Sequence, residues 1–358
     1  MENRYKWIFA FFSKICLWLI AFALIFIYII SSDQKLSEHF YFYRIKNQGI
    51  EAFQPIRHKY GDLYDLSHLP DFRTRDQEKE ILVPPAQKEK NINLLLICDS
   101  YLFNKTKAEH FTCVNKKKEI AWSYNIDSPV KIDTLKRNIL IIETAERLIR
   151  MRFAKPYLRN LPIDKKSKNQ NKIVSFSGWL APVMFNPLIN QNIEFFLTDY
   201  MFLRPLKEFK AWLNYKLFKK TGQAVVSMDG QYLFFKETVD QRLRSSSFSP
   251  IRNGEIDTIV AGMNYMYEYF INQHFDEVYF SFIPNPVTIL DRNRGVYNQL
   301  ITKIEKHDKR QSPMISILAE FEENKDIVYQ KSDSHWTTEG LQVWINKANE
   351  MILKKMNL

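Results

Sequence analysis

The stretch that decides the fold is Asn91–Phe103, which reads NINLLLICDSYLF. Its mostly apolar run, 91–97, is typical of a strand that is buried on both faces of a parallel sheet. We predict that this strand ends at Cys98-Asp99-Ser100 and that a helical stretch begins there. Open α/β sheets place their sites at the carboxyl ends of strands, and a helix N-terminus favours developing negative charge, so a hydroxyl at this point is a candidate for chemistry.

The same strand-then-helix pattern recurs along the chain. The apolar run 138–142 (NILII) leads into the helical pattern ETAERLIRMRF. Residues 224–235 (AVVSMDGQYLFF) predict a hairpin, because Asp229-Gly230 tolerates the positive φ angles of a tight turn. The run 115–118 (NKKK) predicts a solvated turn. Further elements are predicted as helix 255–275, strand 277–283, strand 326–330 and helix 341–355. We therefore predict an α/β fold with a parallel sheet flanked by helices.

The run Lys331–Gly340, KSDSHWTTEG, places Asp333 two residues before His335. A neutral imidazole becomes a useful general base when one ring nitrogen faces a nucleophile and a carboxylate holds the other. Ser100 supplies a hydroxyl for such a base, although a serine after a strand is by itself more often a helix cap. Together the two stretches predict that Ser100, His335 and Asp333 meet in the folded protein.

These residues resemble the sequence blocks of a known superfamily. Cys98-Asp99-Ser100 resembles the Gly-Asp-Ser nucleophile block of the SGNH hydrolase superfamily, and Asp333–Trp336 is similar to the Asp-x-His-Trp block of its alginate O-acetyltransferase-like branch. Residues 141–150, 228–237 and 282–290 resemble further landmarks of these relatives. The serine precedes the histidine here, as if the domain were circularly permuted relative to the alginate enzymes.

The resemblance implies an SGNH-like fold and acyl-transfer chemistry. It implies Ser100 as nucleophile, His335 as general base and Asp333 as the carboxylate that holds the imidazole, with an acetyl or similar group carried as an acyl-serine. The backbone N–H of Ser100 is a candidate oxyanion donor. Three features differ from the family: Cys98 replaces the glycine of the nucleophile block, Gln231 replaces the tryptophan of the hairpin, and the strand end FIPNP at 282–286 lacks the family's lysine.

Three further residues are candidate supports of the site. Asn285 follows the strand 277–283, and SGNH enzymes typically use such an asparagine as an oxyanion donor; an asparagine that bonds its own turn is the alternative. Glu143 ends a predicted strand and either faces the site or pairs with Arg147 at a helix start. Trp336 either shapes the wall of the acceptor site or fills the core beside the last helix.

An apolar N-terminal run predicts a membrane anchor. Residues 15–30 read ICLWLIAFALIFIYII and span about 24 Å as a helix, and Lys14 can snorkel toward headgroups. Because Arg4, Lys6 and Lys14 precede the run, the positive-inside rule places the N-terminus in the cytoplasm and the rest outside, in the bacterial periplasm. A cleaved signal peptide is the alternative, but no small-x-small site follows Ile30.

The prediction divides the chain into three parts. Residues 1–35 are the inner-membrane anchor, 36–90 a polar connector, and 91–358 an SGNH-like domain with a helical, aromatic-rich insertion at about 155–222. The aromatic density of 175–220 favours either a helical layer packed on the core or a surface that rests on the bilayer or on a membrane partner.

Charge and compartment indicate the partners. The net charge of +11 suits an anionic partner, and a position outside the cytoplasm favours lipid or acidic glycan over nucleic acid. Acetyl-CoA is confined to the cytoplasm and a single helix offers no transport path, so the acyl group would have to come from a multispanning membrane protein. The other histidines are scattered, so we predict neither a metal site nor a cofactor.

The sequence thus predicts a periplasm-facing, membrane-anchored O-acyltransferase that acetylates a cell-envelope or secreted glycan. A carbohydrate esterase, in which water accepts the acyl group, is the nearest alternative. An inactive SGNH-like scaffold is the alternative from a different class of protein, and Cys98 is the residue that favours it.

Overall fold

The structure is a computed structural model, and the residues that it describes are 2–33, 36–37, 39–40, 50–56, 61–73, 80–85, 91–122, 132–154 and 189–354. The chain divides into two compact units. The smaller unit combines Met1–Tyr60 with Asn169–Ala211, and the larger combines Gly61–Lys168 with Trp212–Leu358.

Helices and strands follow one another along the described chain. In order they are α1 (Glu2–Ser32), α2 (Tyr64–Ser67), β1 (Ile92–Cys98), β2 (Val114–Ala121), β3 (Arg137–Ala145), α3 (Glu146–Arg152), α4 (Ile189–Thr198), α5 (Arg204–Trp212), β4 (Ala224–Val226), β5 (Leu233–Phe235), α6 (Lys236–Val239), α7 (Glu255–Ile271), β6 (Glu277–Ile283), α8 (Pro286–Leu290), α9 (Leu300–Glu305), β7 (Met314–Ile315), α10 (Leu318–Glu323), α11 (Lys325–Val328) and α12 (Thr338–Lys354).

Helix α1 belongs to the smaller unit. Its segment Phe11–Ser32 has 22 residues and a mean hydropathy of 2.6, and it is the one helix in the described residues that is long and apolar enough to cross a membrane. At 1.5 Å per residue it is about 33 Å long, close to the thickness of the hydrocarbon core of a bilayer. A signal sequence would pass the same test of length and composition.

The larger unit is built on a parallel sheet. In the described residues the strand order is β2-β1-β3-β6-β7, and every neighbouring pair is parallel. The three central strands are buried almost throughout, because their apolar side chains point into helical layers on both faces. The predicted α/β class with a parallel sheet flanked by helices is therefore confirmed.

Two local predictions are wrong. The run 115–118 is not a turn, because it lies within β2, which pairs with β1 at the edge of the sheet. Lysines on an edge strand hinder pairing with a further strand, so the charge pattern fits this position. Residues 326–330 are not a strand: α11 occupies the first of them, and only Tyr329 forms a bridge, with Trp336.

The predicted hairpin is present and lies against the loop that contains Asp333–Trp336. Strands β4 and β5 pair antiparallel, and Gly230 adopts a φ of +75° in the connecting turn. The backbone N–H of Leu233 donates a hydrogen bond of 2.8 Å to the carbonyl oxygen of Lys331. The hairpin therefore supports the segment that carries Asp333 and His335.

The predicted connector and insertion are not uniform. Within the connector, the range 61–73 packs into the larger unit with Leu63, Leu66 and Phe72 buried. Of the predicted insertion, 155–188 lies outside the described residues. The part that is described includes α4 and most of α5, which belong to the same compact unit as α1.

Candidate functional site

Ser100 lies in a turn that directly follows β1. The N–H groups of Leu102 and Phe103 both donate to the carbonyl oxygen of Asp99, at 3.1 and 2.9 Å, and so close the chain into a turn. The helix predicted at this point is absent: the described chain continues through turns and a 3₁₀ segment, Ala108–His110, to β2. A helix dipole therefore does not act on Ser100, whose side chain is exposed to solvent.

The structure brings Ser100, His335 and Asp333 together. Ser100 Oγ lies 2.7 Å from His335 Nε2, and His335 Nδ1 lies 2.6 Å from Asp333 Oδ1. A carboxylate only accepts hydrogen bonds, so Nδ1 carries the proton and Nε2 accepts the hydroxyl proton of Ser100. The tautomer that a general base needs is thus fixed by Asp333.

Asp333 is held in its ionised form. Burial by itself would raise the pKa of its carboxyl, but the hydrogen bond from the His335 ring and the charge of that ring lower it below the ordinary value. The backbone N–H of His335 donates to the same Oδ1 at 2.8 Å, and the N–H of Asp62 donates to Oδ2 at 3.2 Å. Both carboxylate oxygens are therefore occupied by donors that favour the negative charge.

Asp62 is a residue of this site that the sequence did not predict. Its Oδ1 accepts the N–H of Ser334 at 2.8 Å, its Oδ2 accepts the Ser334 hydroxyl at 2.5 Å, and Oδ2 also lies 3.7 Å from His335 Nδ1. Burial, and next the charge of Asp333, raise the pKa of Asp62. Two carboxylates thus flank one imidazole, and Asp62 fixes the loop between Asp333 and His335.

Gly61 allows the Asp62 segment to approach the loop. It has a φ of +86°, in the left-handed region, and a Cβ built on it would lie 2.5 Å from the carbonyl oxygen of Ser332. The next residue but one, Leu63, donates its N–H to that oxygen at 3.2 Å. A Gly-Asp dipeptide is too common to predict such a contact, which joins residues 271 positions apart in the chain.

Tyr101 forms the floor below the imidazole. Its ring centroid lies 4.9 Å from that of His335, and its hydroxyl donates a hydrogen bond of 2.6 Å to the carbonyl oxygen of Ser334. The guanidinium of Arg147 donates to the same hydroxyl at 3.4 Å. Burial raises the pKa of Tyr101, so the phenol stays protonated and remains a donor to the loop. Tyr101 therefore links the turn after β1 to the loop that carries His335.

An ion pair between Arg152 and Asp99 also fixes the turn that contains Ser100. Arg152 donates two hydrogen bonds of 2.6 Å, one to each carboxylate oxygen of Asp99, and its guanidinium lies 4.2 Å above the ring of Trp122. This bidentate geometry fixes the direction of the turn better than a single contact would. Asp99 also accepts the N–H of Ala145 at 3.0 Å, which ties the turn to the end of β3.

Glu143 supports this turn and does not start a helix. It lies within β3, its side chain is fully buried, and its Oε2 accepts the backbone N–H of Asp99 at 2.7 Å. Burial, and next the charge of Asp99, raise the pKa of Glu143 well above its ordinary value. The predicted pairing with Arg147 is wrong, because Arg147 instead lies 3.6 Å from Glu237. Glu143 Oε1 has no hydrogen-bond partner among the described residues.

Asn285 is not joined to the triad by any hydrogen bond in the described residues. It is 0 % exposed and follows β6, as predicted, but its Nδ2 donates to Ser247 Oγ at 2.9 Å and its backbone N–H donates to Glu146 Oε2 at 2.8 Å. Thr288 joins the same buried network through its hydroxyl. The side chain bonds a separate loop and not its own turn, so that alternative is wrong, and the role of Asn285 as an oxyanion donor stays a prediction.

Trp336 and Cys98 are core residues. Trp336 is buried among the rings of Tyr101, Phe321 and Trp344, so it fills the core beside α12 and does not shape a wall of the site. Cys98 is buried at the end of β1, and burial raises the pKa of its thiol. The thiol is therefore not a competing nucleophile, and the cysteine does not prevent the contact between Ser100 and His335.

The turn also offers a candidate oxyanion donor. Among the described residues, no acceptor takes the backbone N–H of Ser100.

The carboxylates beside His335 form a group that can hold a cation, since ligand atoms of Asp62, Asp333 and His335 all lie within 4.8 Å of one another. A metal on Nδ1 would replace the proton that His335 donates to Asp333, so metal binding and the triad tautomer exclude each other.

Comparisons with known proteins give no indication of function, so the proposal is argued from the geometry of the site. Neither the models of protein families, nor the curated proteins, nor the solved structures contain a match for the chain.

Proposed function

We propose that this chain is a membrane-anchored O-acyltransferase that resembles SGNH hydrolases and works through an acyl-serine. The observation that carries the proposal is the continuous hydrogen-bonded chain from the Ser100 hydroxyl through the His335 ring to the Asp333 carboxylate. Ser100 is solvent-exposed, while Tyr101 and Asp62 hold the loop that carries its partners through hydrogen bonds to Ser334. Nucleophilic catalysis requires an accessible hydroxyl that is hydrogen-bonded to an oriented general base.

The first half-reaction acylates the serine. His335 Nε2 takes the proton as Ser100 Oγ attacks the carbonyl carbon of the donor, and the Asp333 carboxylate stabilises the imidazolium that forms. The Ser100 N–H donates to the oxyanion of the tetrahedral intermediate. When that intermediate collapses, the bond to the leaving group breaks, and His335 returns the proton to the departing oxygen. The products are the acyl-serine and the protonated leaving group.

The second half-reaction transfers the acyl group to an acceptor hydroxyl. His335 takes the acceptor proton, the new ester bond forms, and Ser100 leaves as its alkoxide and regains the proton from His335. We propose a cell-envelope or secreted glycan as acceptor, and the charge of +11 would retain an acidic polymer near the site. With Phe11–Ser32 as a span and the larger unit in the periplasm, a multispanning membrane protein supplies the acyl group.

Covalent labelling tests the nucleophile. The full-length protein in detergent micelles is treated with a fluorophosphonate probe, and the site of labelling is read by peptide mass spectrometry. We expect labelling at Ser100 in the wild type and none in Ser100→Ala. The matched control is Ser316→Ala, because Ser316 is an exposed serine whose hydroxyl contacts Glu305 and not an imidazole.

The outcomes separate the proposed enzyme from the alternatives. Labelling that persists in Ser100→Ala contradicts the assignment of Ser100 as the nucleophile. Absence of labelling in both the wild type and the variant contradicts the proposal and favours an inactive scaffold. Once labelling is established, unlabelled protein is acetylated at Ser100 with an activated acetyl ester, and the rate at which the acetyl group leaves Ser100 is measured in water with and without added oligosaccharides. Faster loss with formation of acetylated sugar supports the transferase, whereas an unchanged rate with free acetate supports an esterase.

A further inference from the structure

We propose that the smaller unit carries a second membrane contact, a surface that lies flat on an anionic lipid bilayer. This aromatic surface consists of Phe53, Phe202, Leu206 and Phe209. The inference rests on the proposed anchoring of Phe11–Ser32 in a membrane and is independent of acyl transfer.

Helix α5 buries one of its lysines and exposes two of its large apolar residues. Lys207 is buried, with Nζ 3.6 Å from Glu194 and 4.0 Å from Asp199, and the side chain of Asp199 is 0 % exposed. Leu206 and Phe209 of the same helix are 64 % and 58 % exposed. A helix on a protein in water directs its apolar stripe toward the core. The reversed arrangement indicates an apolar environment outside this face.

The aromatic residues beside α5 extend the same surface. Phe53 and Phe202 are both more than half exposed, and their ring centroids lie 5.7 Å apart. Tyr200 stacks on Phe202 at 5.7 Å and donates its hydroxyl to the carbonyl oxygen of Phe196. Contiguous exposed rings of this size mark an interaction site, and aromatic side chains concentrate where hydrocarbon meets headgroups.

The position of α4 explains why lipid is the partner. Asn192 Nδ2 donates a hydrogen bond of 2.7 Å to the carbonyl oxygen of Ser31, at the end of the candidate span, and α4 packs against α1. From Asn192 to the end of α4 at Thr198 the helix rises by about 9 Å, which is comparable to the depth at which interfacial helices lie. The chain therefore enters α5 close to the point where the span would leave the bilayer.

The charge beside the aromatic surface matches anionic headgroups. Lys210 directly follows Phe209 on α5 and is exposed. Exposed apolar residues flanked by lysines are typical of helices that lie in the interface of an anionic membrane. A protein partner would explain why these apolar residues are exposed, but it would not explain why they lie close to the candidate membrane span.

Lipid-borne quenchers test the proposal on the full-length chain. In a Cys16→Ala background the two remaining thiols, Cys98 and Cys113, are buried, so one introduced cysteine takes a fluorescent label. Labels at Phe22→Cys in the span, at Phe209→Cys in the aromatic surface and at the exposed control Val296→Cys in the larger unit are compared in vesicles of phosphatidylethanolamine and phosphatidylglycerol. Spin-labelled lipids with shallow and deep probes serve as quenchers.

We expect the deep probe to quench Phe22→Cys and the shallow probe to quench Phe209→Cys at least about threefold more than Val296→Cys. Quenching at position 22 with none at 209, or equal quenching at 209 and 296, overturns the proposal and leaves the anchor intact. No quenching at position 22 overturns the anchor and the proposal with it. A label at 209 that lipids do not quench, but that native membranes shield from iodide, indicates a protein partner and also overturns it.

Two matched variants check that the surface itself makes the contact. Leu206→Asp is expected to reduce shallow quenching at position 209 by about threefold, because a carboxylate disfavours insertion beside anionic headgroups. Leu135→Asp changes an exposed leucine of the larger unit and is expected to leave the quenching unchanged. Equal effects of the two variants would contradict the proposal.

Discussion

The ends of β1 and β6 make an instructive comparison, because each strand is buried and each is followed by a polar residue at the same edge of the sheet. Ser100 after β1 stays exposed and meets the ring of His335 at 2.7 Å. Asn285 after β6 is 0 % exposed and bonds Ser247 and Glu146. Position after a strand is therefore not sufficient for a site. The difference is whether a distant segment delivers a partner and leaves an opening to solvent.

The largest expected effect comes from Asp333→Asn, which removes the negative charge behind the imidazole at the β1 end. An asparagine can donate to Nδ1, so it favours the tautomer in which Nε2 carries the proton and cannot accept the one on Ser100. We expect the rate of acyl transfer from an activated ester to fall by about 10⁴-fold. The rate of acyl-serine formation in stopped-flow experiments measures this.

The control for Asp333→Asn is Asp308→Asn. Asp308 also lies beside a histidine, at 3.4 Å from His307 Nδ1, but it is exposed and belongs to a different part of the larger unit. It should leave the rate unchanged. A loss below about tenfold in Asp333→Asn would show that the carboxylate does not orient the base.

The second prediction concerns the β6 end, where Asn285→Ala should affect stability and not chemistry. The variant removes the hydrogen bond to Ser247 and leaves a small void in a buried network. We expect the free energy of unfolding to fall by about 1 to 3 kcal/mol and the acylation rate to change by less than about threefold. Urea unfolding in micelles and the acylation rate of the folded protein measure the two quantities.

The opposite pattern would break the comparison. If Asn285→Ala retained its stability and lost about 100-fold or more in rate, Asn285 would act as an oxyanion donor after all, and the two strand ends would form one site. Asn298→Ala is a matched control, because Asn298 is a buried asparagine whose Nδ2 donates to carbonyl oxygens of the same region, those of Ser246 and Ser249. It should reduce stability similarly without an effect on rate.

The central strands and the long helices could be predicted from the sequence. Strands β1, β3 and β6 are continuous apolar runs, and burial on both faces leaves few alternatives for such runs. Strand β2 could not be predicted, because an edge strand needs little apolar character and its lysines read as a loop. The short apolar run near Tyr329 was also ambiguous, since four or five residues do not distinguish a strand from a helical turn.

At the candidate site the sequence identified the residues with a chemical signature and missed those defined by contact. Ser100 and the Asp333–His335 pair could be predicted from residue types at strand ends and loops. Asp62 could not, because nothing local distinguishes its carboxylate from other exposed acids before folding brings it to Ser334. Glu143 was singled out, but its role depends on the N–H of Asp99, which only the fold places beside it.

The third prediction sharpens the comparison by testing whether Asp62 is part of what distinguishes the β1 end. Asp62→Asn removes a negative charge 3.7 Å from His335 Nδ1 and weakens the hold on Ser334. We expect kcat/KM to fall by about tenfold. Burial, and next the charge of Asp333, raise the pKa of Asp62, so its negative charge develops as the pH rises, and the difference in rate between the wild type and Asp62→Asn should grow with pH.

The expected fall of kcat/KM in Asp62→Asn should not result from a loss of stability. Burial and the charge of Asp333 raise the pKa of Asp62 in the folded protein, so its ionisation opposes folding as pH rises above the ordinary range of an aspartate. Removing this charge should leave the free energy of unfolding at neutral pH unchanged or slightly higher. An unchanged pH profile in Asp62→Asn would restrict Asp62 to a structural contact.

The smallest effect is expected from Glu143→Gln, which probes the buried support below the β1 end. The pKa of Glu143 is raised well above its ordinary value, so the folded state binds a proton that the unfolded state releases as the pH rises. The free energy of unfolding should therefore decrease in the wild type as the pH rises above the ordinary range of a glutamate, and vary less in the variant, whose carbonyl oxygen still accepts the N–H of Asp99. Urea midpoints across this range measure how steeply the free energy of unfolding changes with pH. Glu350→Gln, which removes an exposed carboxylate, should keep the wild-type slope.

Identical slopes in Glu143→Gln and the wild type would mean that Glu143 is ionised throughout. The turn that carries Ser100 would then be supported by a buried charge and not by a neutral carboxyl.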